Sequence, residues 1–315
     1  METEVREEPW LMCWVTAGQL KVRNAPARDA PELGILHHGD AVRIVAKSGQ
    51  WYGIEFADQE GFIAARYVAL ADPNPGRLIP VSGNGSLRPS RQFPETGDAT
   101  TRKVAGTWNR YGKLLARLSD EYRMDVACVV AVLCVESSGQ GFSASNDGRM
   151  IIRFENHKFW QFWGAENIAH FQRHYRFNSE KRWTGHQWRD NANGVWRRFH
   201  GDQRAEWEVL IHGMTLDREA ALKSVSMGAP QIMGFNHRAA GFASAAEMFS
   251  AFCEGTDRQI EAMFRFMSAK MLNCLRDDDF SGFAALYNGS GQKTKYGQWI
   301  RRHCDRFREI QTAQQ

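Results

Sequence analysis

The stretch ACVVAVLCVESSG, residues 127–139, decides the fold. Nine apolar side chains precede the single carboxylate of Glu136. A run of that length is too short to span a bilayer. With Ser-Ser-Gly behind it, it predicts a buried helix ending at about Ser138, with Gly139 as the C-cap. Glu136 then stands at the C-terminal end of a core helix. Loss of water and the partial negative charge of the helix terminus both disfavour its anion there. A carboxyl group that stays protonated near neutral pH is what a general acid requires. The plain alternative is a frayed helix end with Glu136 in solvent.

Downstream of this helix, Asn146-Asp147-Gly148 is a tight-turn signal, and residues 150–155 (MIIRFE) alternate briefly like a strand. Asn156 is expected to cap a helix through Phe159, Trp160 and Phe162. This helix–hairpin–helix order places Glu136, Asp147 and Glu155 near one another, although Asp147 is also explained as a turn former. Upstream, the period turns helical from Thr107, with Trp108, Tyr111, Leu114, Leu115 and Leu118 on one face.

Residues 11 to about 70 read differently, as five or so short strands at eight-to-twelve-residue spacing. Leu20–Arg23 alternates, Gly39-Asp40 marks a turn, and Val42–Val45, Trp51–Phe56 and Gly61–Ile63 follow. A small barrel is the expected result. Residues 73–103 have the composition of an extended polar linker, rich in Pro, Gly, Ser and Asn. The chain is therefore expected to be multidomain: a small all-β barrel over 1–72, a linker over 73–103, and a mainly α domain with a small β-hairpin over 104–315.

Two further motifs complete the reading. SMGAPQIMG (226–234) contains a Gly-Ala-Pro bend that aims Gln231 inward, and AALYNG (284–289) ends a helix with Tyr287 and Asn288 beside a glycine. Glu-Ser, Gly-x-x-Gln-Ile and Tyr-Asn-Gly, in that order, closely resemble the lysozyme-like superfamily that includes lytic transglycosylases. Glu136-Ser-Ser-Gly, Arg153-Phe-Glu-Asn-His, the Gln231 motif and Tyr287-Asn-Gly are together similar to the N-acetylmuramidase domain of modular phage endolysins, over roughly residues 105–310. Residues 20–67 likewise resemble a bacterial SH3 domain, a module that holds enzymes on peptidoglycan. One departure stands out: about ninety residues separate Ser137 from Gln231, where transglycosylases place the two motifs close together.

The resemblance implies cleavage of the β-1,4 bond between N-acetylmuramic acid and N-acetylglucosamine. Glu136 is then the proton donor, Glu155 the second carboxylate and Asp147 its reserve. Gln231, Tyr287 and Asn288 would line sugar subsites, and Trp51, Tyr52 and Tyr67 a wall-binding face, unless Trp51 is simply core. The alternatives are a lytic transglycosylase, in which Glu155 becomes a structural partner for Arg153 or His157, and a wall-binding protein without activity.

Composition bounds the rest. The net charge of +4 divides unevenly, with −3 on residues 1–100 and +7 on residues 101–315. A basic second half suggests an anionic partner, and peptidoglycan is expected rather than nucleic acid. The six cysteines show no CxxC spacing and read as small hydrophobes in a reducing compartment. His170 and His174 have the spacing of a metal pair but no third ligand, so neither a metal nor another cofactor is expected. The five tryptophans of residues 160–200 are interleaved with Arg, and read as sugar or base platforms or as core and cation–π pairs. A monomer is expected, made in the cytoplasm without a signal peptide and acting on the wall after membrane permeabilisation.

Overall fold

The computed structural model describes all residues except 1–10, 16, 38–40, 58, 71–75, 77, 79–86, 191–192, 290, 292 and 315. The expected turn at Gly39-Asp40 and much of the linker lie outside the described residues.

Seven strands build the first domain: β1 (Leu11–Val15), β2 (Gln19–Arg23), β3 (Glu32–His37), β4 (Ala41–Ser48), β5 (Trp51–Phe56), β6 (Gln59–Ala64) and β7 (Val68–Leu70). They form one antiparallel sheet in the order β3-β2-β6-β5-β4-β1-β7. The alternation seen in the sequence becomes alternate burial. Leu20 and Val22 of β2 face a core with Ile44, Ile54 and Ile63, while their neighbours face water. The outer pair β1–β7 was not legible strand by strand, because neighbours across the sheet are distant in the chain.

The helical domain starts earlier than expected. Helix α1 (Ala99–Glu121) opens at Ala99, capped by Asp98, whose side chain accepts from the Thr101 amide at 2.7 Å. The end of the supposed linker is packed down rather than extended. Phe93 is buried against Trp108 and Phe307, and its backbone exchanges two hydrogen bonds with the Asn109 amide.

Helix α2 (Val126–Ser137) is the centre of this domain. Asp125 caps it, and every side chain from Ala127 to Cys134 is buried. A helix that is apolar on all sides must be enclosed on all sides. Helices α1 and α11 (below) pack along it. The helix ends one residue before the predicted cap. Ser138 is the C-cap, in left-handed backbone at φ 58°, and Gly139 continues at φ 67°.

The next elements are β8 (Phe142–Ser143) and β9 (Arg149–Met150), a hairpin whose turn holds Asp147 at φ 52° and Gly148 at φ 68°. Strand β10 (Ile152–Phe154) does not belong to that hairpin. It joins β13 (Val225–Met227) and β14 (Ile232–Met233) in a three-stranded sheet, so Glu155 is placed by a long-range pairing. Helix α3 (Asn156–Phe159) has Glu155 rather than Asn156 at its N-cap position, without a side-chain capping bond. Asn156 is buried, and its amide bridges the carbonyls of Arg176 and Gln187. A π-turn over Trp160–Gly164 follows, then α4 (Ile168–His174) and a hairpin of β11 (Tyr175–Arg176) and β12 (Gln187–Trp188).

Helices α5 (Gln203–Leu216), α6 (Arg218–Lys223), α7 (Ala245–Glu254), α8 (Thr256–Phe266), α9 (Ala269–Arg276), α10 (Phe280–Tyr287) and α11 (Lys293–Ala313) complete the chain. Among the described residues, no helix is long and apolar enough to cross a membrane. The Trp-rich stretch is mostly packing. Trp188 is core, Trp163 stacks on Phe159, and Trp196 is held between Arg176 and Arg189, while Trp183 stands exposed.

Gly139 marks where α2 meets α1. A Cβ there would lie 2.2 Å from Thr107 Oγ1, on a backbone that L side chains rarely adopt. Gly139→Ala is therefore expected to destabilise the domain by about 1–3 kcal/mol, read as a lower urea midpoint. Gly148→Ala, with open space around it, should cost only its backbone strain.

Candidate active site

The site is built at the end of α2. Glu136 is half-buried, and Asn288 donates from Nδ2 to its Oε1 at 2.8 Å. Burial pushes the Glu136 carboxyl up to about 7, against the opposing pull of the Asn288 hydrogen bond. Asn288 is exposed and caps α10, so the helix carrying the Tyr-Asn-Gly motif delivers the amide to the carboxyl.

Tyr287, one residue earlier, donates its hydroxyl to the Pro230 carbonyl at 2.8 Å. That carbonyl belongs to the bend that holds Gln231. Gln231 is a non-glycine residue at φ 51°, an uncommon backbone held by its side chain. Its Nε2 donates to the carbonyls of Gly228 (2.8 Å) and Ile151 (3.2 Å), and its Oε1 accepts from Ser226 Oγ at 2.9 Å. Both amide hydrogens are thus committed to backbone carbonyls, one in the β13–β14 turn and one at the entry to β10. Gln231 latches the site wall and keeps only acceptor capacity toward the cleft. Glu136, the adjacent pair Tyr287 and Asn288, and the bend at Pro230-Gln231, three separate segments, form one continuous chain of contacts.

Tyr296, which feels the Glu136 charge, and its neighbour Trp299 were absent from the sequence reading. Tyr296 on α11 has its hydroxyl pKa raised by burial and by the Glu136 charge, and it packs on Trp299, which is 39% exposed. Two aromatics three apart on a helix, just after Tyr-Asn-Gly, were the signal that could have found them. Tyr296 thus brings one ring of an aromatic pair within electrostatic reach of the carboxyl.

Glu155 has a different environment. Arg153 Nε donates to Oε1 at 2.9 Å, while Oε2 lies 3.4 Å from both His157 Nδ1 and His186 Nδ1. Burial alone would raise this carboxyl. His157, His186, Arg153 and His200 outweigh it and hold the group at about 2. His186 is itself pushed down to about 4, chiefly by burial, so at neutral pH Arg153 is the standing cation. Asp147 is exposed at the hairpin turn, where its left-handed backbone suits a turn former. The expected cluster of three carboxylates is therefore spread over three settings, each with its own neighbours.

His170 and His174 do not combine. His170 is exposed, whereas His174 bonds the Arg189 carbonyl and packs on His212. The first domain offers a second concavity of about 1020 Å³, lined by Trp51, Tyr52 and Tyr67 together with Lys21, Lys47 and Arg66. Tyr52 packs on the barrel core, Tyr67 is exposed beneath Arg66, and Trp51 is half-exposed at the groove.

A family model described as N-acetylmuramidase matches residues 125–308, and one described as bacterial SH3 domain matches residues 18–69. Among solved structures, the crystal structure of Burkholderia AP3 phage endolysin is similar, with 29% sequence identity and a TM-score of 0.48. That likeness covers 62% of this chain and 69% of that one. No curated protein matches.

The Glu136 carboxyl should titrate near 7, followed by carbon NMR of labelled glutamate. Asn288→Ala removes the donor that favours the anion, so its midpoint should move to higher pH. A midpoint unmoved, or moved down, would detach Asn288 from the carboxyl.

Proposed function

Since the chain belongs to the N-acetylmuramidase family, we propose that it hydrolyses the β-1,4 bond between N-acetylmuramic acid and N-acetylglucosamine of peptidoglycan, with Glu136 as the general acid. The observation that carries this reading is the half-buried carboxyl held near 7 at the end of α2, beside a polar wall and an aromatic face. Glycoside hydrolysis needs such a group to protonate the leaving oxygen while the sugar takes on positive charge. Asn288 orients the carboxyl, and the exposed edge of Asn288 and Tyr296 line the approach to it.

The second role, expected of Glu155, is less simply assigned. One oxygen of Glu155 is held by Arg153 and the other faces two imidazoles. A carboxylate engaged in this way is a stable fixed anion and a weak base. Its contacts favour a positioning role, holding the β10–α3 junction that forms the wall beneath Gln231. Glu136, once it has given up its proton, is then the base at hand for water, and the acetamido oxygen of the sugar can shield the cation. Asp147 remains the reserve carboxylate.

The cationic, aromatic groove of the first domain fits the wall polymer, whose peptides carry carboxylates. In this reading the protein is made in the host cytoplasm and meets the wall once the membrane is permeabilised.

Mass spectrometry of digested peptidoglycan tests the reaction. Wild type should release fragments with reducing N-acetylmuramic ends. Anhydro-muramic ends would make the protein a transglycosylase. Glu136→Gln should lower kcat/KM by about 10²–10⁴-fold with the fold intact. Wild-type kcat/KM should fall as pH rises through about 7, because the proton donor is lost there. Reducing ends that persist in Glu155→Gln leave Glu155 to positioning, while their loss in a folded protein returns the second carboxylate role to it.

Deleting residues 1–75 should weaken binding to purified wall in a pelleting assay and spare cleavage of soluble glycan fragments. Unchanged wall binding would remove that role from the barrel.

A further inference from the structure

The long insertion between the Glu-Ser and Gln motifs buries a group of side chains that the reaction does not use. Glu155 Oε2, His186 Nδ1 and His200 Nε2 lie within 4.8 Å of one another. His186 Nδ1 is 2.9 Å from His200 Nε2 and 3.4 Å from Glu155 Oε2. We propose that Glu155, His186 and His200 form a site for a single zinc ion.

The outward side of each imidazole supports this. His186 Nε2 is 2.8 Å from the Arg182 carbonyl, which can only accept. The ring hydrogen is therefore on Nε2, and Nδ1 turns a lone pair inward. His200 Nδ1 is 2.9 Å from Glu206 Oε1, and the other oxygen of Glu206 accepts from the Phe154 amide at 2.8 Å. A histidine whose far nitrogen is held by a carboxylate or a backbone carbonyl is the arrangement that fixes tautomer and orientation in metal sites. Both histidines have it.

The inward side lacks what a metal-free cluster needs. Glu155 Oε2 is buried without a hydrogen-bond partner, and so is the neighbouring His157 Nδ1, 3.4 Å away. For His200 Nε2 to donate to His186, His200 must either be an imidazolium or accept at Nδ1 a hydrogen bond from a protonated Glu206. A dication removes the conflict. His200 then carries its hydrogen on Nδ1 toward an ionised Glu206, and all three inward atoms present lone pairs.

Ligand atoms at about 2.1 Å in a tetrahedron stand about 3.4 Å apart. The Glu155–His186 pair is already at that spacing, and the two histidines need open by only about half an ångström. Two imidazoles and one carboxylate suit zinc better than magnesium or calcium, which favour all-oxygen sets. Water or His157 completes the shell. The other metal-capable group among the described residues, Asp125, Cys128 and Cys304, is occupied by the Arg308 guanidinium, which pairs with Asp125 at 2.9 Å. The ion would tie the start of α3, the β11–β12 hairpin and the segment entering α5, three parts of the insertion with little regular structure.

The site deepens the positioning role of Glu155 and does not depend on the reaction assigned to Glu136. Glu136→Gln, expected to be inactive, should bind zinc as the wild type does.

The test uses the full chain, stripped with a chelator and titrated with Zn²⁺ against a chromophoric competitor, with bound metal counted by mass spectrometry. One zinc per chain is expected, with a higher Tm in the loaded protein. His186→Ala and His200→Ala should each weaken binding at least 100-fold. Glu206→Gln, which leaves the inner atoms in place, should weaken it about 10–100-fold. His170→Ala and Cys128→Ser should leave it unchanged. Substituting Co²⁺ should give visible bands of a four-coordinate nitrogen–oxygen site in the wild type, an outcome that needs no variant to fold. No stoichiometric zinc in the wild type, or binding undiminished in a folded His200→Ala protein, would overturn the site.

Discussion

Everything at the active site depends on the enclosure of α2. Its side chains from Ala127 to Cys134 are buried all round, so its last turn emerges inside the domain rather than at the surface. A carboxyl at that position loses much of its water whatever else surrounds it. Asn288 restores one hydrogen bond, and the two effects compete over the same proton. Desolvation is the larger, which is why a glutamate becomes an acid at neutral pH. The same packing brings α11 alongside, and with it Tyr296 and Trp299.

The contrast with Glu155 shows how little residue type decides. Both glutamates are at least half-buried, and burial alone would raise both. Glu136 meets a neutral amide and stays high, while Glu155 meets His157, His186 and Arg153 and falls to about 2. Environments that push two carboxyls apart divide their tasks. Glu136 can exchange a proton near neutral pH, whereas Glu155 is a permanent anion whose natural partners are cations.

Gln231 and Tyr287 add a second constraint. Their polar groups close the Gly-Ala-Pro bend from both sides, through Gly228, Ile151, Ser226 and Pro230. The bend therefore keeps an uncommon backbone, held by side-chain hydrogen bonds on both sides. A glutamine that the motif order marked as a sugar ligand is first a latch.

The local patterns of the chain determined much by themselves. Alternation over residues 20–63 specified a barrel because period-two burial needs only neighbouring residues. The apolar run before Glu136 specified a core helix with a carboxyl at its end for the same reason. The Asn-Asp-Gly turn was legible because its backbone angles are set by those residues. What only the tertiary structure decided are the pairings between distant segments. Strand β10 left the hairpin for β13, Glu136 and Glu155 gained different neighbours, and Tyr296 came beside Glu136 from 160 residues away. Likewise Glu155, His186, His200 and Glu206 share no spacing that a period could reveal. They meet because buried polar atoms must find partners, and those partners are chosen by packing in three dimensions rather than by order along the chain.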